Sequence, residues 1–508
     1  MEQFDLTAHR ARIAPEATAL EDLASGQVYS YGALNERAAR VAAAAIEHWG
    51  LQPGDRLAYL GHSSAEFFAL LFGCAKAGLI LVPLNWRLAV PELEGLLEDA
   101  RPGALLYTAD FAEPVRTLQP QFADMVAVAM EPEQTNGGAI RPRRYEADLE
   151  AVTPHLRPHP PCDPDTPWYL LYTSGTTGRP KGVIQTFRMM LANFYNIGLS
   201  IEVRQSDVLL NVLPMFHTAG INLYSTCVLL VGGTVLVAPG FDAAQALRVL
   251  EERATLFFGV PAVYQALLDQ PKLDGRRLQR VRSWGCGGAP LALPVAERFV
   301  DMGIRVRTGY GMTETGPGVF LLEESQVLDR LGSVGRPLLL AEVRVVNAAG
   351  EDLPADQPGE LWIRGPGVTP GYWQQPEVTR QAISEEGWLR TGDVACYDAE
   401  GYYRIVDRWK DMFISGGENI YPAEVERALE THDAVSEVAV VGVPDERWGE
   451  VGRAFIVLAE TQPTPPKEAL QAWCRERLAG YKVPHHIDYV DALPRNALGK
   501  ITKQELRR

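Results

Sequence analysis

The segment WYLLYTSGTTGRPKGVIQTF, residues 168 to 187, constrains this chain more than any other. Its apolar, aromatic opening reads as a buried strand ending at Tyr172, and VIQTF reads as a second strand. Between them runs a loop of glycine and small hydroxyl residues that closes with Pro180, Lys181 and Gly182. Glycines at 175 and 178 permit positive φ, so backbone N–H groups can converge on an anion with no side chain in the way. Thr173, Ser174, Thr176 and Thr177 add hydroxyl donors, and Lys181 adds a mobile positive charge. A nucleoside triphosphate is the natural guest. A solvated surface turn has the same local composition, so the rest of the chain has to decide.

The spacing is not that of a P-loop, which needs G-x-x-x-x-G-K-[ST] at the start of a helix. Here Gly175 and Gly178 stand three apart, Pro180 precedes the lysine, and a strand follows.

A chain of 508 residues, 46% hydrophobic and 22% charged, folds, but is too long for one compact core. The spacing of SYGALNERAARVAAAAIEHW predicts a helix over residues 30 to 49, stopped by Gly50. A strand over 57 to 60, a helix over 64 to 76 and a strand in LILVPL follow, and this alternation means an α/β layer architecture. GGTVLVA and TLFFGV continue it, each followed by a helical segment. Six prolines between residues 153 and 167 make a connector that cannot hold regular structure. From Glu342 the apolar residues alternate with polar ones between turns, the mark of antiparallel hairpins. Beyond 410, a helix opened by Pro422, strands at EVAVVGV and AFIVLA, a helix near 465 to 478 and a strand at IDYV make a small α/β unit. The expected fold is mixed α/β. Residues 1–407 form a large N-terminal domain with two α/β sheet layers and an antiparallel β unit, and residues 408–508 form a small C-terminal domain.

The net charge of −16 excludes nonspecific nucleic-acid binding, which depends on clustered Lys and Arg. The N-terminus lacks the basic start and apolar core of a signal peptide. The run FFALLFGCAKAGLILVPL divides better into helix and strand at Gly78 than into a membrane span. Six cysteines with no C-x-x-C pair favour reduced thiols and a cytoplasmic location over a disulfide framework or a zinc site.

YTSGTTGRPKG resembles the signature loop of the adenylate-forming superfamily: acyl-CoA synthetases, nonribosomal adenylation domains and beetle luciferases. Further segments match in the same order: PMFHTAG (214–220), GGAP (287–290) with TGYGMTET (308–315), TGD (391–393), and DRWKDMFISGGEN (407–419) with PRNALGK (494–500). The resemblance spans essentially the whole chain. It implies an AMP-forming acid–thiol ligase that joins a carboxylate to the α-phosphate of ATP, expels pyrophosphate, and passes the acyl group to CoA.

The resemblance carries roles onto matching residues. Thr173 to Gly178 and Lys181 hold the phosphates, and Gly288, Ala289, Pro290, Gly309, Tyr310 and Gly311 wall the adenine and the adenylate. Thr313 contacts the α-phosphate, Glu314 holds Mg²⁺, Asp393 holds the ribose, and Arg408 is a second ribose or phosphate contact. Lys500 bridges carboxylate and phosphate during adenylation, which requires a mobile small domain that closes on the large one and pivots near 407–410, at Lys410. Gly416 and Gly417 then present backbone to the thiol channel, with Trp448, Tyr481, Lys482 and Arg87 as further CoA candidates. Lys500 also sits in a context that protein acetyltransferases modify in this family, and acetylation would cancel its charge.

The implied acyl wall is His217, Thr218, Gly220, Ile221, Trp284, Gly309, Met312 and Val319. It lacks a cation, and Gly309 stands where malonate-specific relatives carry an arginine, so a second carboxylate would be buried unpaired. Hydroxycinnamate-type aromatic acids and medium or long fatty acids both remain, with the aromatic acid preferred. A carrier-protein-loading enzyme and a noncatalytic nucleotide binder are the remaining alternatives. Acid, ATP and CoA are the expected partners, and a homodimer is compatible with the reading.

Overall fold

The computed structural model describes residues 5–131, 142–155, 163–174, 180–289, 291, 293–408, 413–420, 422–459, 464–494, 501 and 503–507. Two compact units emerge. The first comprises Met1–Trp86, Ala100–Leu171 and Gly182–Val406; the second comprises Arg87–Asp99, Tyr172–Lys181 and Asp407–Arg508.

The first unit carries a nine-stranded sheet in the order Arg336–Pro337, Phe320–Leu321, Val306–Tyr310, Ser283–Cys286, Leu256–Gly259, Val208–Asn211, Thr234–Val237, Thr18–Asp22, Val28–Ser30. Strands from Val306–Tyr310 to Thr18–Asp22 run parallel, and antiparallel strands close both edges. The parallel strands Leu256–Gly259 and Ser283–Cys286 are buried along their whole length, because helices cover both faces.

A second, seven-stranded sheet runs Arg143–Arg144, Val126–Ala129, Ala104–Tyr107, Arg56–Leu60, Ile80–Pro83, Pro167–Ser174, Pro180–Thr186. The alanine-rich helix forms over Tyr31–Glu47, where the Ser30 hydroxyl accepts from the Ala33 N–H at 3.1 Å. Its small face lets helix Ala65–Ala77 approach closely, and a Cβ at Gly73 would stand 2.6 Å from Val41 Cγ1. That second helix ends at Gly78 in the left-handed region, and the strand Ile80–Pro83 follows, as the apolar run at 67 to 84 predicts. Among the described residues no helix is long and apolar enough to cross a membrane. The segments after Glu342 form the expected antiparallel sheet, Glu342–Val346, Gly359–Arg364, Leu389–Tyr397 and Tyr403–Arg408.

The second unit builds its sheet in the order Glu418–Ile420, Phe413–Ser415, Gly449–Leu458, Val435–Asp445, with His486–Tyr489 parallel to Gly449–Leu458. Pro422 opens the helix Pro422–Glu430, and Phe413, Val425, Leu429, Val440, Ile456 and Leu470 join in its core.

Candidate active site

The implied functional segments share one origin. PMFHTAG follows strand Val208–Asn211, GGAP follows Ser283–Cys286, and the second half of TGYGMTET follows Val306–Tyr310. These strands run parallel in one sheet, so the three segments gather beyond their carboxyl ends, where open α/β sheets bind ligands.

Buried Asn211 organises the first segment. Its side-chain amide donates to the Gly220 carbonyl at 2.7 Å and to Ser225 Oγ at 2.9 Å, while its Oδ1 accepts from the Leu213 N–H at 3.0 Å. Gly220 has to be glycine here, since a Cβ would lie 2.3 Å from the Pro214 carbonyl oxygen. The ring of His217 lies 4.7 Å from that of Phe216, and Thr218 and Ile221 are buried beside them in the chain.

The nucleotide candidates come together. The Tyr310 hydroxyl donates to Asp393 Oδ2 at 2.5 Å, so the residue implied for adenine braces the residue implied for ribose. Asp393 is buried, and its N–H donates to the Thr391 hydroxyl at 3.0 Å. Gly311 packs so tightly that a Cβ would fall 1.4 Å from the Pro317 carbonyl oxygen. Glu314 sits in the short turn Thr313–Thr315, buried, with Oε1 accepting from the Tyr372 hydroxyl at 2.9 Å. Gln185, on the strand that leaves the signature loop, donates to the Thr313 carbonyl at 2.9 Å and ties that strand to this turn.

Magnesium fits Glu314. Among the described residues no cluster of three or more His, Cys, Asp and Glu could cage a metal. Magnesium instead favours one or two carboxylates completed by phosphate and water, and Glu314 is an oriented, buried carboxylate of that kind.

Tyr372, Asn211 and Gln185 went unseen in the sequence: Tyr372 and Gln185 act through partners 58 and 128 residues away, and Asn211 acts by bracing the backbone of the loop that follows it, a role no residue pattern announces. Trp284 requires a correction. It turns to the opposite face of its strand from the implied acyl wall and packs edge-on against Phe257 at 5.7 Å and beside Phe299 at 6.2 Å. The residue facing Tyr224 and Phe258 is Gly285. The remaining wall candidates, Met312 and Val319, pack around Phe320 with Tyr310, and Gly309 pairs with Leu321 across the adjacent strand. Gly288 takes φ +81°, with Ala289 beside it.

In the second unit, Gly416 and Gly417 form the tight turn between strands Phe413–Ser415 and Glu418–Ile420, with φ +57° and +86°. The Gly416 N–H donates to the Trp448 carbonyl at 2.9 Å, and a Cβ at Gly416 would meet the Trp448 ring at 2.9 Å. Trp448 is 40% exposed, an unusual degree for tryptophan, and Arg447 stacks over it.

The basic CoA candidates are placed differently from expectation. Lys482 is 4% exposed, with Nζ 2.7 Å from Glu92 and 2.6 Å from Glu424. A lysine enclosed by two carboxylates is a structural ion cluster and not an exposed phosphate contact. Burial pulls its ammonium down, but Glu424, Tyr481 and Glu92 together hold it above its ordinary value. Burial pushes Glu92 up to about 7, against the pull of Lys482. Arg87 pairs with Glu418. Tyr481 packs against the small unit's core.

Thr173 is the last residue but one of strand Pro167–Ser174, and Lys181 is the second residue of strand Pro180–Thr186. Gly175, Thr176, Thr177, Gly178, Pro290, Lys410 and Lys500 lie outside the described residues, as do the side chains of Ser174 and Arg408.

The family model for AMP-binding enzymes matches residues 7–373, and that for the AMP-binding enzyme C-terminal domain matches residues 424–500. The chain belongs to the AMP-binding enzyme family. This family member is 41% identical to a feruloyl-CoA synthase of Amycolatopsis sp, over 98% of this chain and 97% of that one. It is 35% identical to a long-chain-fatty-acid–CoA ligase of Mycobacterium tuberculosis, over 98% of this chain and 96% of the relative. Among solved structures it resembles the o-succinylbenzoate CoA synthetase of Bacillus subtilis, with a TM-score of 0.87 and 30% identity, covering 100% of this chain and 99% of that one. As an adenylate-forming acyl-CoA synthetase, the chain is an AMP-forming acid–CoA ligase, whose family uses ATP and CoA.

Proposed function

We propose that this ligase activates an aromatic acid of the hydroxycinnamate class in two half-reactions. The acid is first joined to the α-phosphate of ATP with loss of pyrophosphate; CoA then displaces AMP to give the thioester. The observation that carries the substrate class is the full-length similarity to a feruloyl-CoA synthase. The glycine-bearing wall of buried Gly220, Ile221 and Val319 with half-buried Gly309 is in keeping with a flat apolar acid.

Adenylation brings two anions together, so positive charge has to be aimed where negative charge develops. In this reading Lys181 and the hydroxyls of Thr173 to Thr177 hold the phosphates, Glu314 would hold Mg²⁺, Asp393 and Tyr310 fix the nucleoside, His217 borders the acyl group, and Lys500 bridges carboxylate and α-phosphate. Mg²⁺ supplies charge neutralisation at the phosphates when bound. A boundary at 407 to 408 with a pivot at Lys410 lets residues 408–508 present Lys500 in one arrangement and Gly416, Gly417 and Trp448 in another. Acetylation of Lys500 would silence the first half-reaction.

The second reading is a fatty acid–CoA ligase, favoured by the mycobacterial relative. Acid-dependent pyrophosphate release from Mg·ATP, with and without CoA, separates the two. A panel from benzoate through hydroxycinnamates to octanoate and palmitate should give its strongest CoA-dependent turnover with the hydroxycinnamates; preference for palmitate would replace the first reading with the second.

A further inference from the structure

Strand Ser283–Cys286 presents Ser283 and Gly285 to the face opposite Trp284, toward Phe258 and Tyr224. Phe258 stands opposite Gly285 on the neighbouring strand, and its ring meets that of Tyr224 edge-on at 5.4 Å. A Cβ at Gly285 would lie 2.6 Å from both the Tyr224 hydroxyl and Phe258 Cδ2, and one at Gly287 would lie 3.0 Å from Phe258 Cζ and 3.6 Å from the Gly309 carbonyl oxygen. Gly287 and Phe258 thus lie between Gly309, a wall residue, and the Tyr224 hydroxyl.

At its inner end two polar groups are left over. Tyr224 is 2% exposed and Ser283 5% exposed. Their hydroxyls are close enough to hydrogen-bond one another, although the pair misses good geometry and neither has another partner among the described residues. Two hydroxyls bonded to one another still leave one donor over, and a buried donor left unpaired costs about 1–3 kcal/mol, so the pair calls for a partner that arrives with the ligand.

We propose that Tyr224 and Ser283 form the polar end of the acyl pocket and hydrogen-bond an oxygen substituent on the ring of an aromatic acid, at the end distant from its carboxylate. The inference rests on the aromatic-acid reading above and adds what that reading lacks, a reason for the ring to be oxygenated. Burial pushes the Tyr224 hydroxyl above its ordinary value, so it remains a proton donor at neutral pH. Ser283 can donate or accept as the substituent requires. The Arg307 guanidinium adds positive potential near Tyr224, but it donates from Nε to the Leu322 carbonyl at 2.8 Å and from Nη1 to the Ser200 carbonyl at 2.9 Å. That arrangement suits the lone pairs of a phenol or methoxy oxygen, whereas a second carboxylate would ask for a dedicated cation. An alkyl chain end would leave the two hydroxyls with only one another.

The test compares kcat/KM for 4-hydroxycinnamate with that for unsubstituted cinnamate in the full chain and in Tyr224→Phe and Ser283→Ala. The full chain should prefer the oxygenated acid, and Tyr224→Phe, which keeps the ring, should reduce that preference roughly ten- to hundredfold, mostly through KM for the acid. Ser283→Ala should act in the same direction and less strongly. Equal losses for the two acids would mean a structural role for Tyr224 and overturn the assignment. So would a full chain that uses both acids equally well, although the aromatic-acid reading would then stand. If the full chain uses only alkyl acids, both fall together.

Discussion

The Tyr310 hydroxyl and the Asp393 carboxylate, 83 residues apart in the chain, meet in a hydrogen bond of 2.5 Å. One lies at the carboxyl end of a parallel strand and the other on a strand of the antiparallel sheet, so the nucleoside candidates are held by two sheets at once. Tyr310→Phe removes the phenol's hydrogen bond to the Asp393 carboxylate. Because a hydrogen bond to a charged group is worth about 1.5–3 kcal/mol, KM for ATP should rise roughly tenfold or more, read in ATP–pyrophosphate exchange.

Glu314→Gln keeps the shape of the turn Thr313–Thr315 and removes the charge implied for magnesium. Adenylation should fall at least roughly a hundredfold, with a higher Mg²⁺ requirement in pyrophosphate release. Tyr372→Phe, which only loosens Glu314 Oε1, should move the Mg²⁺ dependence in the same direction by less.

Lys482→Met leaves Glu92 and Glu424 buried beside each other without their shared cation. Breaking a buried pair from one side costs about 3–5 kcal/mol, so the urea midpoint should drop sharply at pH 8. Lowering the pH should recover part of the loss, because a protonated carboxyl no longer needs the ammonium.

Glu92 also sets a pH dependence in the unmodified chain. Its ordinary value is 4.5, and burial raises it to about 7 in the fold. Between those values the folded chain keeps a proton that the unfolded chain has released, so stability declines as pH rises through that window. Thermal melts from pH 5 to pH 8 should show the decline, and Glu92→Gln should flatten it.

Much of this was legible in the chain itself, and the limits have physical causes. The helix over residues 31 to 47 carried its own cap and stop, and the hairpins after Glu342 carried their own turns. Local chemistry decides both. The facing of Trp284 was not legible, because a parallel strand buried on both sides shows no polar alternation to tell its faces apart. Lys482 looked like a surface lysine because its partner Glu92 lies 390 residues away. Glu314 and Asp393 stood out by motif, whereas Tyr372, which orients one of them, belongs to no quoted motif and is recognisable only once its hydroxyl is seen to point at a carboxylate.

The pairing of strand Thr18–Asp22 with strand Thr234–Val237, Leu20 beside Val235, has a consequence for how the protein is made. The first strand of the nine-stranded sheet to leave the ribosome has no neighbour on that side until nearly half the chain has been synthesised. Until then that edge, and the side chains of Ala19 and Leu20 on either face of the strand, all buried in the finished fold, are open to the wrong partner, so the half-made chain is more exposed to misassembly than the mature enzyme ever is.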